Sequence, residues 1–260
     1  MFKTIFITFC FLTAISVKSQ TDTAVMENVI CADLDIKGNI YFIDSSYNIC
    51  KTTNGVITNR FSLTNYGEGP SIDASNPLEV FVFYENSGIV LILDNQLNPS
   101  HQINLYNNNN LKALAFGRSN DGHVWIYDGN TSTLKKFDRS GQVIAESVML
   151  NKAREQNTNG VKKIYDNGSL IAFQTNNKNL LVLNKNIKLV LNKETQLKLV
   201  GLEGDGVLQQ DKTDLVKTEI NNKPKGLNNT IKSNISGEII CAVNGKMLLF
   251  KNNKTTIDTY

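Results

Sequence analysis

The sequence predicts an all-β chain, and within that class a β-propeller of six four-stranded blades whose N-terminal strand closes the last blade. Three observations carry this expectation. Residues 80–84 (VFVFY) and 89–93 (IVLIL) are apolar runs separated by Glu85-Asn86-Ser87-Gly88. Short runs rich in Val, Ile and Phe between turn signals read as strands rather than helices. Neither run alternates apolar with polar residues, so both faces must be covered, as in inner strands pressed between neighbouring sheets. Such strand pairs also recur roughly every 40 residues, the period of propeller blades, and about 240 residues then give about six copies.

Taken in order, residues 1–19 read as a secretory signal peptide. Met1-Phe2-Lys3 is a short positive start, and residues 4–17 are an apolar to weakly polar segment too short to span a bilayer. Val17-Lys18-Ser19 precedes the expected cut, which leaves Gln20 first. Cys10 has no lipoprotein-type small-residue run before it, so no lipid anchor is read. Residues 20–260 are expected to form one propeller domain. Residues 24–30 are a strand candidate without a hairpin of their own, and are expected to lie beside residues 246–257 as the outer strand of the last blade.

The repeating unit is a Gly-containing turn, an apolar strand, a turn, a second apolar strand and a more polar strand. Lys37-Gly38-Asn39 leads into residues 40–44, and residues 49–51 run to the turn Asn54-Gly55. Ser75-Asn76-Pro77 replaces the glycine turn before the hairpin at 80–93. Asp121-Gly122 opens residues 123–128, followed by 134–138 and 142–145; Asn167-Gly168 opens 169–174, followed by 179–183 and 187–191. Residues 197–220 are the most eroded copy, and Ser236-Gly237 opens the last, with strands at 238–243, 247–251 and 255–257. Residues 151–160 lack an apolar stripe and read as a loop. An open β-sandwich or a β-helix-like stack explains the strand pairs but not the period.

Charge and cysteine content narrow the function classes. Without Lys3 and Lys18 the chain has 25 basic and 24 acidic residues, a net charge of +1. That balance offers no footprint for nucleic acid or an anionic membrane, and no second apolar segment is long enough to insert directly into a bilayer. Cys31, Cys50 and Cys241 remain after export, an odd number, so at least one thiol stays free. Cys241 lies in an apolar strand and reads as a buried inert thiol. Cys31 and Cys50 could pair if their strands are neighbours. No metal-ligand spacing is present and no cofactor is expected.

No catalytic constellation is visible. His101 and His123 are the only histidines and fall in different units. No G-x-S-x-G, HExxH, P-loop or dinucleotide fingerprint occurs. Asp33-Leu34-Asp35 with Gly38 starts like a calcium loop, but Lys37 stands where a ligand is required, so a hairpin turn is the better reading. Trp125, between Val124 and Ile126, reads as a packing residue between blades. Two loops are shaped rather than extended: Tyr66-Gly67-Glu68-Gly69-Pro70, and Gly117-Arg118-Ser119-Asn120, whose Arg118 can fork onto a carboxylate. The residues taken as protein-binding are Tyr66, Glu68, Arg118 and Asn120.

Residues 66–70 (YGEGP), 73–80 (DASNPLEV), 93–97 (LDNQL) and 121–128 (DGHVWIYD) carry a resemblance. The chain resembles a family of exported propeller-like proteins of Bacteroidota, similar in outline to NHL-type propellers, well over residues 33–145 and by period alone thereafter. The resemblance implies a periplasmic protein of the cell envelope and, more specifically, an accessory subunit of the type IX secretion apparatus at the outer membrane. No C-terminal sorting domain follows the last unit, so a periplasmic resident rather than secreted cargo is expected. The resulting expectation is a non-enzymatic platform for envelope or outer-membrane proteins. The alternative is a carbohydrate or small-ligand propeller, or a lyase or hydrolase with a central-channel site.

Overall fold

The computed structural model describes residues 23–24, 28–106, 110–151, 160–220, 228–251 and 254–260. The expected signal peptide, and residues 152–159 of the expected loop, lie outside the described residues. Every regular element among the described residues is a strand. A two-residue strand β1 (Thr23–Ala24) is followed by β2 (Val29–Leu34), β3 (Ile40–Asp44), β4 (Asn48–Thr53) and β5 (Val56–Ser62), which form the first sheet. The second contains β6 (Pro70–Asn76), β7 (Glu79–Tyr84), β8 (Ile89–Asp94) and β9 (Pro99–Asn104). Next come β10 (Ala113–Arg118), β11 (Val124–Asp128), β12 (Thr133–Phe137) and β13 (Val143–Glu146). They precede β14 (Lys162–Asp166), β15 (Leu170–Gln174), β16 (Asn179–Asn184) and β17 (Leu189–Glu194). Another sheet holds β18 (Lys198–Glu203), β19 (Gly206–Asp211), β20 (Asp214–Glu219) and β21 (Asn228–Lys232). The last joins β22 (Glu238–Val243), β23 (Lys246–Lys251) and β24 (Lys254–Thr259) to β1.

The arrangement is propeller-like, a set of small antiparallel sheets packed face to face. The hairpin β7–β8 shows why its sequence does not alternate. Val80, Val82, Tyr84, Leu91 and Leu93 pack with Tyr41, Ile43 and Ile49 of the first sheet. Phe81, Phe83, Val90 and Ile92 pack on the other side with Ala113, Phe116, Val124 and Phe137. The outermost strand β9 (PSHQIN) is largely exposed and mostly polar, and β17 (LVLNKE) is equally exposed although half of it is apolar.

The sequence expectation of six separate sheets needs correction. Four separate four-stranded sheets are present, and strands β10 to β17 form one eight-stranded sheet. The fusion arises because β10 and β14 pair in parallel, Ala115 opposite Lys162 and Phe116 opposite Lys163. Gly117 permits this approach, since a Cβ there would collide with the carbonyl oxygen of Ile164. The closure expectation needs a smaller correction. Among the described residues of this segment, Thr23 and Ala24 pair with β24, opposite Thr256 and Thr255, whereas Val29 and Ile30 begin β2. The chain therefore leaves the last sheet earlier than its apolar pattern suggested.

Seven turns among the described residues share one construction. The first residue is Asp35, Asp44, Asp94, Ser119, Asp138, Thr175 or Asn184. In each, its side chain accepts a hydrogen bond from the amide four residues on. Its carbonyl accepts from the amide three residues on. That third residue has a positive φ: Gly38, Tyr47, Leu97, Gly122, Gly141, Lys178 and Ile187. A short polar side chain that satisfies the turn's own amides offsets the strain of a non-glycine residue in the left-handed region. The internal repeat visible in the sequence is in large part this turn.

Candidate functional site in the central channel

The strands β2, β6, β10, β14, β18 and β22 contact one another in sequence, and β22 returns to β2. They surround a central channel. Five of the six carry a β-bulge in their pairing with the next strand, a device that re-aims side chains locally.

Across the channel Lys163 of β14 and Asp33 of β2 form an ion pair, with only 2% of the Asp33 side chain exposed. Asp33 Oδ2 also accepts from the Ala74 amide of β6 at 2.7 Å. Burial would neutralise Lys163, but Asp33 and Asp73 hold its ammonium charged and its pKa is raised. Burial pushes the Tyr165 phenol upward. Burial, reinforced by Asp33, pushes the Cys31 thiol up to about 12 and the Cys241 thiol well above its ordinary value. Cys31, Cys50 and Cys241 are all free thiols. Cys31 and Cys50 therefore do not pair.

Asp33, Lys163 and Tyr165 line cavities on both sides of this pair, so the pair acts as a septum. One cavity, about 360 Å³, opens at the C-terminal ends of the inner strands, where Arg118, Asn120, Asp73, Asp166 and Asn76 line it. The other, about 470 Å³, opens at their N-terminal ends. The carboxylates at the first mouth are engaged by the protein itself. Asp73 accepts from the Arg118 amide at 2.8 Å and from the Ser75 amide at 3.0 Å. Asp166 accepts from the Asn120 amide at 3.0 Å, from Trp125 Nε1 at 2.8 Å and from the Gly168 amide at 2.8 Å. Trp125 is thus a packing residue, buried with Leu114, Ile164 and Phe173.

The four residues expected from sequence do not converge. Arg118 and Asn120 stand at the first mouth. Tyr66 and Glu68 precede β6 and so lie toward the opposite rim; Tyr66 stacks on Tyr84 with ring centroids 5.8 Å apart, and Glu68 is exposed. Gly117 and Arg118 belong to β10 rather than to a loop. Arg118 is held by Nη1 donating to the Ser119 carbonyl at 3.1 Å, by Glu79 at 3.8 Å, and over the Phe81 ring. Its Nε is buried with no hydrogen-bond partner among the described residues. Neither His101 nor His123 is among the residues lining the two mouths.

Sequence reasoning missed Asp33, Asp73, Lys163, Tyr165 and Asp166 as site residues. One signal was present: Asp33 and Asp73 stand one repeat of roughly 40 residues apart, and each reaches the next inner strand.

No protein-family model matches the sequence. No curated protein matches it either. Solved structures do share its shape. A streptogramin B lyase aligns with a TM-score of 0.60 at 9% identity, covering 93% of this chain and 87% of that protein. A catalytically inactive virginiamycin B lyase from Staphylococcus aureus with quinupristin gives 0.56 at 14% identity over 94% and 86%. Against a selenomethionine-substituted structure of that lyase the match spans 70% of this chain and 62% of the other, with a TM-score of 0.51 at 15% identity. The propeller domain of Cps50 (Swd1) from Myceliophteria thermophila gives 0.58 at 8% identity over 93% and 100%. These likenesses show a β-propeller fold. They also overturn the expectation of a non-enzyme: enzymes are among the proteins of this shape, so a missing linear signature is no ground for excluding catalysis.

Proposed function

We propose that this chain is a periplasmic, six-bladed propeller that binds a protein partner of the cell envelope at the channel mouth carrying Arg118 and Asn120. The blade count treats the eight-stranded sheet as two blades whose innermost strands touch, which agrees with the six inner strands around the channel. Export rests on residues 1–19, and the outer-membrane type IX secretion apparatus is the assembly implied by the resemblance.

One observation carries the reading. The turns at this rim present exposed Ile36 (47%) and Leu78 (61%) beside a mouth that Ile36, Pro77, Arg118 and Asn120 line. Apolar anchors flanking an arginine with unspent donor capacity are the composition of a protein-binding hot spot. The occupant that fits is a partner loop bearing a carboxylate for Arg118.

The alternative reading, a small-ligand, lyase or hydrolase site in the channel, has one observation in its favour: Lys163 and Tyr165 line both cavities at the channel's centre. A pull-down from envelope membranes with the native protein and the Ile36→Asp/Arg118→Glu variant separates the readings. A stoichiometric outer-membrane partner lost in the folded variant supports the platform. Recovery of the same partners by both proteins, or of the native protein only as a glycan-binding monomer, overturns it.

A further inference from the structure

The opposite mouth differs in charge. Four lysines line it, Lys162, Lys163, Lys178 and Lys198, against a single carboxylate, Asp33. Three of the ammonium groups have acceptors. Lys163 pairs with Asp33. Lys178 donates to Gln196 Oε1 at 2.6 Å. Lys198 donates to Glu238 Oε1 at 2.5 Å and to the Ile239 carbonyl at 2.8 Å. Lys162 makes no ion pair or hydrogen bond through its ammonium among the described residues, although its side chain is partly buried in the wall of the cavity. Burial and the neighbouring Lys198 lower its pKa.

A partly dehydrated ammonium beside a second one, with the mouth's one carboxylate already paired to Lys163, is unfavourable until an anion enters. The Lys198–Glu238 pair is exposed on both sides, so it is a weak competitor for Lys198. Behind the lysines the cavity is floored by the buried apolar residues Ile72, Phe116 and Leu199. About 470 Å³ is space for a molecule of mono- to disaccharide size.

We propose that this mouth is a binding site for a small organic anion, whose carboxylate bridges Lys162 and Lys198 while its body lies over Ile72 and Leu199. The site is on the far side of the Asp33–Lys163 septum from Arg118, so it stands or falls independently of the protein-binding rim.

Isothermal titration calorimetry of the purified protein with galacturonate, citrate, inorganic phosphate and neutral galactose tests it. At least one organic anion should bind more tightly than phosphate or galactose. Lys162→Met should weaken that binding about tenfold or more, and Lys162→Arg should retain it. In a side-chain NMR titration the Lys162 ammonium should titrate below the ordinary lysine range alone and shift upward when the anion is added. The proposal is overturned if neither organic anion binds, if galactose or phosphate binds as well as they do, or if Lys162→Met leaves the affinity unchanged.

Discussion

The Asp33–Lys163 pair is the residue-scale centre of the molecule, since it joins inner strands from opposite parts of the sequence and divides the channel. Removing one member leaves the other as a buried, uncompensated charge, whereas a well-made pair need not itself be strongly stabilising. Lys163→Met should therefore cost about 3–5 kcal/mol in a denaturant titration, and Asp33→Asn combined with Lys163→Met should recover much of that loss. A single mutant within 1 kcal/mol of the native protein would show that water reaches Asp33 freely (about 1 kcal/mol being the worth of an exposed pair). Trp125 illustrates the same scale from the apolar side. Its ring packs between sheets while its one donor is spent on Asp166, so it reads as structure and not as a ligand platform.

At the scale of elements, much was legible. The second strands β3, β7, β11 and β15 and the third strands β8 and β16 are largely apolar and buried on both faces, and β3 lies at the boundaries its sequence predicts. Of the innermost strands, β22 (Glu238–Val243) lies at the bounds its sequence predicts, whereas those richest in polar residues are not legible. Strands such as β6 (PSIDASN) and β14 (KKIYD) face a polar channel, so they carry Asp, Lys and Ser where a buried strand should be apolar. The candidate site was hidden for that reason. Arg118 was noticed because a glycine precedes it, and Lys163 was not because nothing local marks it. The shared turn, by contrast, has a readable form in Asp35-Ile36-Lys37-Gly38-Asn39, Asp44-Ser45-Ser46-Tyr47-Asn48 and Asp94-Asn95-Gln96-Leu97-Asn98. Asp94→Ala deletes the acceptor for the Gln96 and Asn98 amides, both at 2.8 Å. The amides remain open to water, so a loss of about 1–2 kcal/mol is expected by thermal unfolding. A neutral result would assign the turn's geometry to Leu97, buried with φ +67°, instead of to the carboxylate.

For the whole molecule, these carboxylates set the acid limit of stability. Amide bonds from Asn98 lead the effects that lower the Asp94 pKa, and the Ser140 hydroxyl does the same for Asp138. Burial opposes the shift at Asp128, but Lys135, the Lys112 and Asn130 amides and Thr131 outweigh it. A folded-state pKa below the unfolded value contributes stability that is present above the unfolded value and lost as pH falls through the folded one. The unfolding midpoint should hold from pH 7 to about 5 and fall below about 4, the unfolded aspartate range. Melts that stay level through pH 3 would remove these bonds from the account.

The parallel contact between β10 and β14 makes the ring mechanically uneven. Its other joints are made through side chains, packed together or hydrogen-bonded to a neighbouring sheet's amides, and separate one contact at a time; this one is backbone bonded to backbone. Pulled, heated or pried by a partner, the ring has a preferred set of places to part, and the joint closed by Gly117 against Ile164 is not among them. A partner that widened the channel would swing the first two sheets and the last two about a central pair of sheets that stays whole. Gly117→Ala would give that central pair a hinge as well, converting a ring with a stiff third into one that opens anywhere.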